Sequence, residues 1–319
     1  MKSNLSKYRS ELMGGGALGV LIVHSNSIIN YSGFIGKIVS YGGLGVYMFM
    51  FLSSIGLYYS LNSKDKIDLK YFYYRRIIKV FIPYLIVAGI WYGIKYILIE
   101  KNFFMFLYEL STLSFWLEHN GAWYVAALIP IYLIYPFFYQ WTENKHRTIK
   151  HVLGILGILF LKVIIFRWNN DLYVHLAQVL NGMIVFIVGS YFADKIKYRN
   201  ENGLWFVLCF FIFYLLKELF FNDLILPLND FVHSFLGIVL CVLGAYALSR
   251  IKCDWIHLGL RWFGKRSLLL YLTNIFILQA VRYFDIMSFF HNGYILYGIV
   301  VVLGMICTFI FNFIISNNI

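Results

Sequence analysis

Charge is scarce in this sequence. Lys, Arg, Asp and Glu make up 13% of its 319 residues, about half the share of an average soluble domain. A chain so poor in charge cannot cover a folded surface with water-seeking groups, which excludes a freely soluble globular domain. Proline is rare too. The four, Pro83, Pro130, Pro136 and Pro227, lie within or beside apolar runs, so no proline-rich linker divides the chain. The four cysteines, Cys209, Cys241, Cys253 and Cys307, form no C-x-x-C pair, and they support neither a disulfide framework nor a zinc site. Sustained period-2 alternation is missing, and with it the pattern of a membrane β-barrel. There is no internal repeat and no low-complexity tract.

In place of charge the chain has apolar length. Hydrophobic residues reach 61% and the mean hydropathy is +0.72. Lipid is then the solvent for most of the surface, and the backbone must satisfy its own hydrogen bonds in helices. The expected fold is an all-α polytopic membrane protein with about ten transmembrane helices, taken from apolar runs of spanning length. They fall near residues 12–30, 42–60, 80–99, 122–139, 152–166, 176–192, 203–219, 231–248, 268–280 and 294–315. The stretch FFMFLYELSTLSFWL (103–117) is apolar but interrupted and reads as a re-entrant or interfacial helix. Residues 1–319 form one transmembrane domain in this reading, with no appended soluble domain.

The loops give the orientation. Basic residues collect on one side: Lys2, Lys7 and Arg9; six from Lys64 to Lys79; Lys145, Arg147 and Lys150; Lys195, Lys197 and Arg199; and five from Arg250 to Arg266. Twenty of the 27 Lys and Arg lie there, while the acids divide almost evenly. The positive-inside rule makes that side the cytoplasm and places both termini in it. The net charge of +12 is thus topology, not a nucleic-acid footprint. The N-terminus has the basic residues, apolar run and Ser25-x-Ser27 of a signal peptide, but losing the first span would invert the charge logic of the other nine.

GGGALGVLIVHSNS (14–27) places an ionisable ring, His24, inside the first span. From Leu12 to His24 a helix rises roughly 18 Å of a core about 30 Å thick, so the ring lies past the midplane, toward the outside. Ionisable groups at that depth face a protein interior or a wet cavity, and Gly14, Gly15, Gly16 and Gly19 allow neighbouring helices to approach closely. His24 is either hydrogen-bonded glue between helices or a functional group. A neutral, positioned imidazole suits a general base that takes a proton from a hydroxyl as its oxygen attacks an acyl group. No second ligand lies nearby in sequence, so no metal is expected.

Arg75, Arg76 and Lys79 cluster at the cytoplasmic mouth of the third span, behind the aromatic run Tyr71–Tyr74. They serve either as an ordinary cytoplasmic belt or as a grip on phosphates. At the outer end of the fourth span, Trp123 and Tyr124 are either interface anchors or, with Glu118 and His119, a surface for a sugar.

Together these residues resemble the acyltransferase 3 family of bacterial integral membrane proteins. The likeness covers nearly the whole chain in order: ELMGGGALGVLIVHS, GLGVYMFMFLSSIGLYYS, RRIIKVFIPYL, AWYVAALIPIYLIYP and LGLRWFGKRSLLLYLTNIF. The resemblance implies a multi-pass protein of the bacterial inner membrane, an enzyme of surface-polysaccharide biosynthesis. It implies transfer of an acyl group, usually acetyl, from cytoplasmic acyl-coenzyme A to a hydroxyl of a surface glycan or its lipid-linked precursor. His24 is then the base, Arg75, Arg76 and Lys79 hold donor phosphates with Arg9 assisting, and Trp123, Tyr124 and Glu118 guide the acceptor. Three positions depart from the family pattern. Met13 stands where an arginine is common, and Arg9 lies one turn away on the same face. Arg76-x-x-Lys79 replaces Arg-x-x-Arg, and Asn274 replaces a late histidine. The rival reading is a glycan or lipid transporter or flippase without acyl-transfer chemistry, for which the sequence offers Lys95 and Lys162 near outer span ends and Glu109 in the interrupted segment, with no repeated halves.

Overall fold

A computed structural model describes residues 3–62, 68–118, 121–143, 145–198, 207–208, 210–212, 214 and 226–318, with backbone alone at 197–198, 226–229 and 317–318. Most of the expected 203–219 span, together with Cys209, Lys64, Lys66 and His119, lies outside the described residues. The structure is 90% helical, and no strand occurs among the described residues. Among the described residues, seven helical stretches are long and apolar enough to cross a membrane: Gly33–Asn62, Leu69–Ile99, Trp123–Thr142, Arg147–Trp168, Asn170–Ile196, Asp230–Arg250 and Gly293–Ser316.

In chain order the helices are α1 (Asn4–Lys7), α2 (Arg9–His24), α3 (Gly33–Ser40), α4 (Leu44–Asn62), α5 (Leu69–Arg76), α6 (Ile82–Tyr92), α7 (Phe103–Leu110), α8 (Leu113–Glu118), α9 (Trp123–Thr142), α10 (Arg147–Trp168), α11 (Asn170–Tyr198), α12 (Leu226–Arg250), α13 (Asp254–Lys265), α14 (Ser267–Tyr283) and α15 (Gly293–Asn318). Several depart from the apolar runs for local reasons. The first helix stops at His24 instead of continuing to residue 30, because the serines that follow turn back on the chain. Ser25 Oγ donates to the Ile22 carbonyl at 2.6 Å, and Ser27 Oγ donates to the His24 carbonyl; such local bonds compete with helix continuation. The third stretch begins at Leu69, eleven residues before its apolar run, because Asp68 caps it by accepting from the Tyr71 amide at 2.9 Å. Pro83 has no N–H for the Lys79 carbonyl, and the chain widens into a π-turn at Ile77–Phe81 just before it. The 103–117 stretch is two short helices, α7 and α8, broken where Thr112 adopts φ +66°.

The helices gather into two compact units, and α2 contributes to both. The first comprises the described residues of Met1–Gly16, Leu44–Ile67 and Ile134–Gly264. Its centre is α4, buried around most of its circumference, with α11 and α12 packed on it. Glycine lets the backbones close up: a Cβ on Gly237 would meet Tyr47 Cβ at 2.6 Å, and one on Gly189 would meet the Phe51 carbonyl at 2.7 Å. Lys162 is fully buried here and answered. Its Nζ donates to Asn181 Oδ1 at 2.5 Å, Asn181 Nδ2 donates to the Asp230 carbonyl at 3.3 Å, and Tyr173 donates to Asp230 Oδ2 at 2.5 Å. Outward positions of α10 are large and apolar, Phe160 being 69% exposed, as expected of a face in lipid rather than water.

The second unit comprises the described residues of Ala17–Gly43, Asp68–Leu133 and Lys265–Ile319. Here α14 packs between α6 and α15. Ile29, Leu278, Val281, Leu296, Tyr297 and Val300 form a shared core. Thr273 ties α14 to α15 by bonding the Gly304 carbonyl at 3.1 Å and Thr308 Oγ1 at 3.0 Å.

Candidate active site

His24 is the last residue of α2 and stands on the wall of a cavity of about 780 Å³ within the second unit. Its Nδ1 lies 2.8 Å from Asn274 Oδ1 on α14, and Asn274 is 1% exposed. One turn earlier on α14, Tyr271 sets its ring 5.9 Å from the imidazole, and Tyr124 packs edge-on behind Tyr271 at 5.7 Å.

The other walls are aromatic and charged. Trp91, Tyr92, Lys95 and Tyr96 come from the end of α6 and the π-helix Gly93–Ile99 that follows it; π segments often occur where side chains are aimed for function. Lys95 Nζ donates to the Tyr96 hydroxyl at 2.7 Å, and that hydroxyl donates to Glu109 Oε1 at 3.0 Å. Trp91 meets Tyr283 edge-to-face at 5.8 Å. Glu118, Gln279 and Arg282 add to the polar lining, with Asn26 and Ser27 beside His24. Arg282 is exposed, and among the described residues no carboxylate pairs with it.

The residues singled out from the sequence are distributed as follows. His24 and Glu118 both line the cavity. Trp123 and Tyr124 do not belong to its lining; Tyr124 is buried at 7% exposure behind Tyr271. Trp91, Tyr92, Tyr96 and Tyr283 supply the aromatic wall instead. Sequence reading did not bring these together because they come from distant segments. One signal was available: Lys95 and Arg282 are among the few basic residues away from the basic loops.

Arg75 donates to the Tyr71 hydroxyl at 3.2 Å, while Arg76 lies over the Phe72 ring at 5.4 Å with its Nε buried. Lys79 sits in the π-turn and is exposed. In the first unit, Arg9 Nε donates to the Leu52 carbonyl on α4 at 2.8 Å. Its guanidinium lies flat against Gly56, where a Cβ would meet Cζ at 2.6 Å. Two residues on, Glu11 is 1% exposed and receives Arg261 Nη2 at 2.6 Å from α13. Among the described residues, no three His, Cys, Asp or Glu side chains gather to hold a metal ion.

A cavity that presents an oriented imidazole to a polar, aromatic-walled space suits proton abstraction from a hydroxyl-bearing molecule. A family model described as an acyltransferase domain covers residues 14–316. The chain belongs to the acyltransferase 3 family. It is a multi-pass membrane acyltransferase that draws on an acyl donor. No curated protein and no solved structure matches it.

Proposed function

We propose that this acyltransferase moves an acyl group, acetyl in the simplest case, from cytoplasmic acyl-coenzyme A to a glycan hydroxyl on the opposite face of the bacterial inner membrane. His24 is the general base. The acceptor hydroxyl enters the cavity, and the imidazole takes its proton as the oxygen attacks the thioester carbonyl. The new C–O bond forms and the C–S bond breaks. The departing thiolate then takes up the proton, so donor and acceptor leave as free coenzyme A and an ester.

The observation that carries this reading is the environment of His24. An imidazole bonded through one nitrogen lines a space with aromatic rings, acids and amides, the groups that suit a sugar. The donor belongs at the basic end of the bundle. Arg75, Arg76 and Lys79 supply cations for the donor's phosphates, and Arg9 is a further cation for the donor. Glu118 with the Trp91, Tyr96 and Tyr283 rings orients the acceptor, and Tyr124, with Trp123 beside it, supports the Tyr271 ring from behind. The partners are lipid, acyl-coenzyme A and a polysaccharide or its lipid-linked precursor.

The transport reading would need an ion-coupling relay, whereas the buried Lys162 bonds within its own unit and functions as a staple. The test is incubation of membranes holding the full chain with radiolabelled acetyl-coenzyme A and the native glycan. Label should enter the glycan as a hydroxylamine-sensitive ester; an unlabelled glycan, with the protein at normal abundance, overturns the reading.

A further inference from the structure

We propose that Asn274 is a positioning residue that fixes the ring tautomer of His24 and leaves Nε2 as the basic atom, an inference resting on the acyl-transfer reading above. A neutral imidazole carries one N–H and one lone pair, and the partner of one nitrogen decides the role of the other. Asn274 Oδ1 lies 2.8 Å from Nδ1, and an amide oxygen can only accept. Nδ1 therefore holds the hydrogen, and Nε2 presents its lone pair.

Among the described residues Asn274 Nδ2 is buried without a hydrogen-bond partner, so the amide's hydrogen bond is the Oδ1 contact with His24. The Tyr297 hydroxyl donates its hydrogen to the Leu21 carbonyl on α2 and does not compete for Oδ1. The helix carrying Asn274 is tied down at the neighbouring residue by the Thr273 bonds to Gly304 and Thr308. The Tyr271 ring 5.9 Å from the imidazole restricts its rotation from another side. A histidine at position 274 could donate or accept and would need its own tautomer set. An amide presents its oxygen to Nδ1 without placing a second titratable group in the apolar interior. The departure from the family's late histidine thus has a physical use.

The experiment is ¹⁵N NMR of the full chain in nanodiscs, labelled at histidine, with the His24 signals assigned by their loss in His24→Gln. In the wild type at neutral pH, Nδ1 should be protonated and Nε2 bare. Asn274→Leu should lose that preference and lower kcat on the order of 10²-fold with little change in either KM. Asn274→Asp, which restores an acceptor on Nδ1, should recover the tautomer and part of kcat. A wild-type ring protonated on Nε2 overturns the proposal, and it does so even if Asn274→Leu fails to fold. An Asn274→Leu kcat within twofold of wild type overturns it equally. Absence of acyl transfer by the wild type would sink the parent reading, while the tautomer measurement would still decide the arrangement at Asn274.

Discussion

A single carboxylate or ring at the cavity wall has a distinct task in the proposed reaction, and substitutions should separate those tasks. Glu118 reaches the cavity from the end of α8 and stays exposed, so it can accept from an acceptor hydroxyl without a burial cost. Glu118→Gln should raise the acceptor KM several-fold, as loss of a charge-assisted hydrogen bond does, and leave the donor KM alone. Steady-state kinetics with each substrate varied in turn checks this; an unchanged acceptor KM removes Glu118 from the site. At this scale His24 was legible in the sequence because an ionisable ring in an apolar run stands out by depth alone. The wall it faces was not. Lys95, Glu109 and Arg282 come from segments nearly two hundred residues apart at the extremes, and no spacing rule joins them. Asn274 read from the sequence as a missing histidine; its bond to Nδ1 needed coordinates.

The helices were legible as apolar runs, but their ends were not. Ends are set by local hydrogen bonds: the Ser25 and Ser27 back-bonds that stop α2, the Asp68 cap that starts α5, and the missing amide of Pro83 behind the π-turn. Periodicity is blind to all three. The contact of α2 with α4 makes the sharpest prediction at this scale. Arg9 is held by the Leu52 carbonyl and lies in the space that Gly56 leaves open, and its proposed part in holding the donor is tested there. Arg9→Ala should raise the donor KM, and Gly56→Val should do the same by displacing the guanidinium. Met13→Arg should partly rescue Arg9→Ala, since the two positions are one helical turn apart, about 6 Å. Strictly additive effects with no rescue would mean that Arg9 only fixes the N-terminus inside.

For the molecule as a whole, composition decided the class, and charge bias is the ground for the proposed orientation. The all-helical character follows from the lack of water for the backbone in lipid, and it is observed. Division into two units, with α2 contributing to both, could not be read from the chain because each unit gathers segments distant in sequence. The orientation has a direct check. Cys253 lies between α12 and α13 and is partly exposed, so in a variant retaining only this cysteine a membrane-impermeant maleimide should label it from the cytoplasmic side alone. Labelling from the outside would reverse the sidedness and separate the proposed donor mouth from cytoplasmic coenzyme A.

The claim on which the rest depends is that the His24 imidazole performs the proton transfer. The decisive measurement is the rate of acyl transfer to the glycan by His24→Ala and wild type, at matched abundance and with both confirmed folded in the membrane. The account predicts a fall of about 10²–10⁴ in rate with normal insertion and little change in donor KM. Near-wild-type transfer by folded His24→Ala would contradict it.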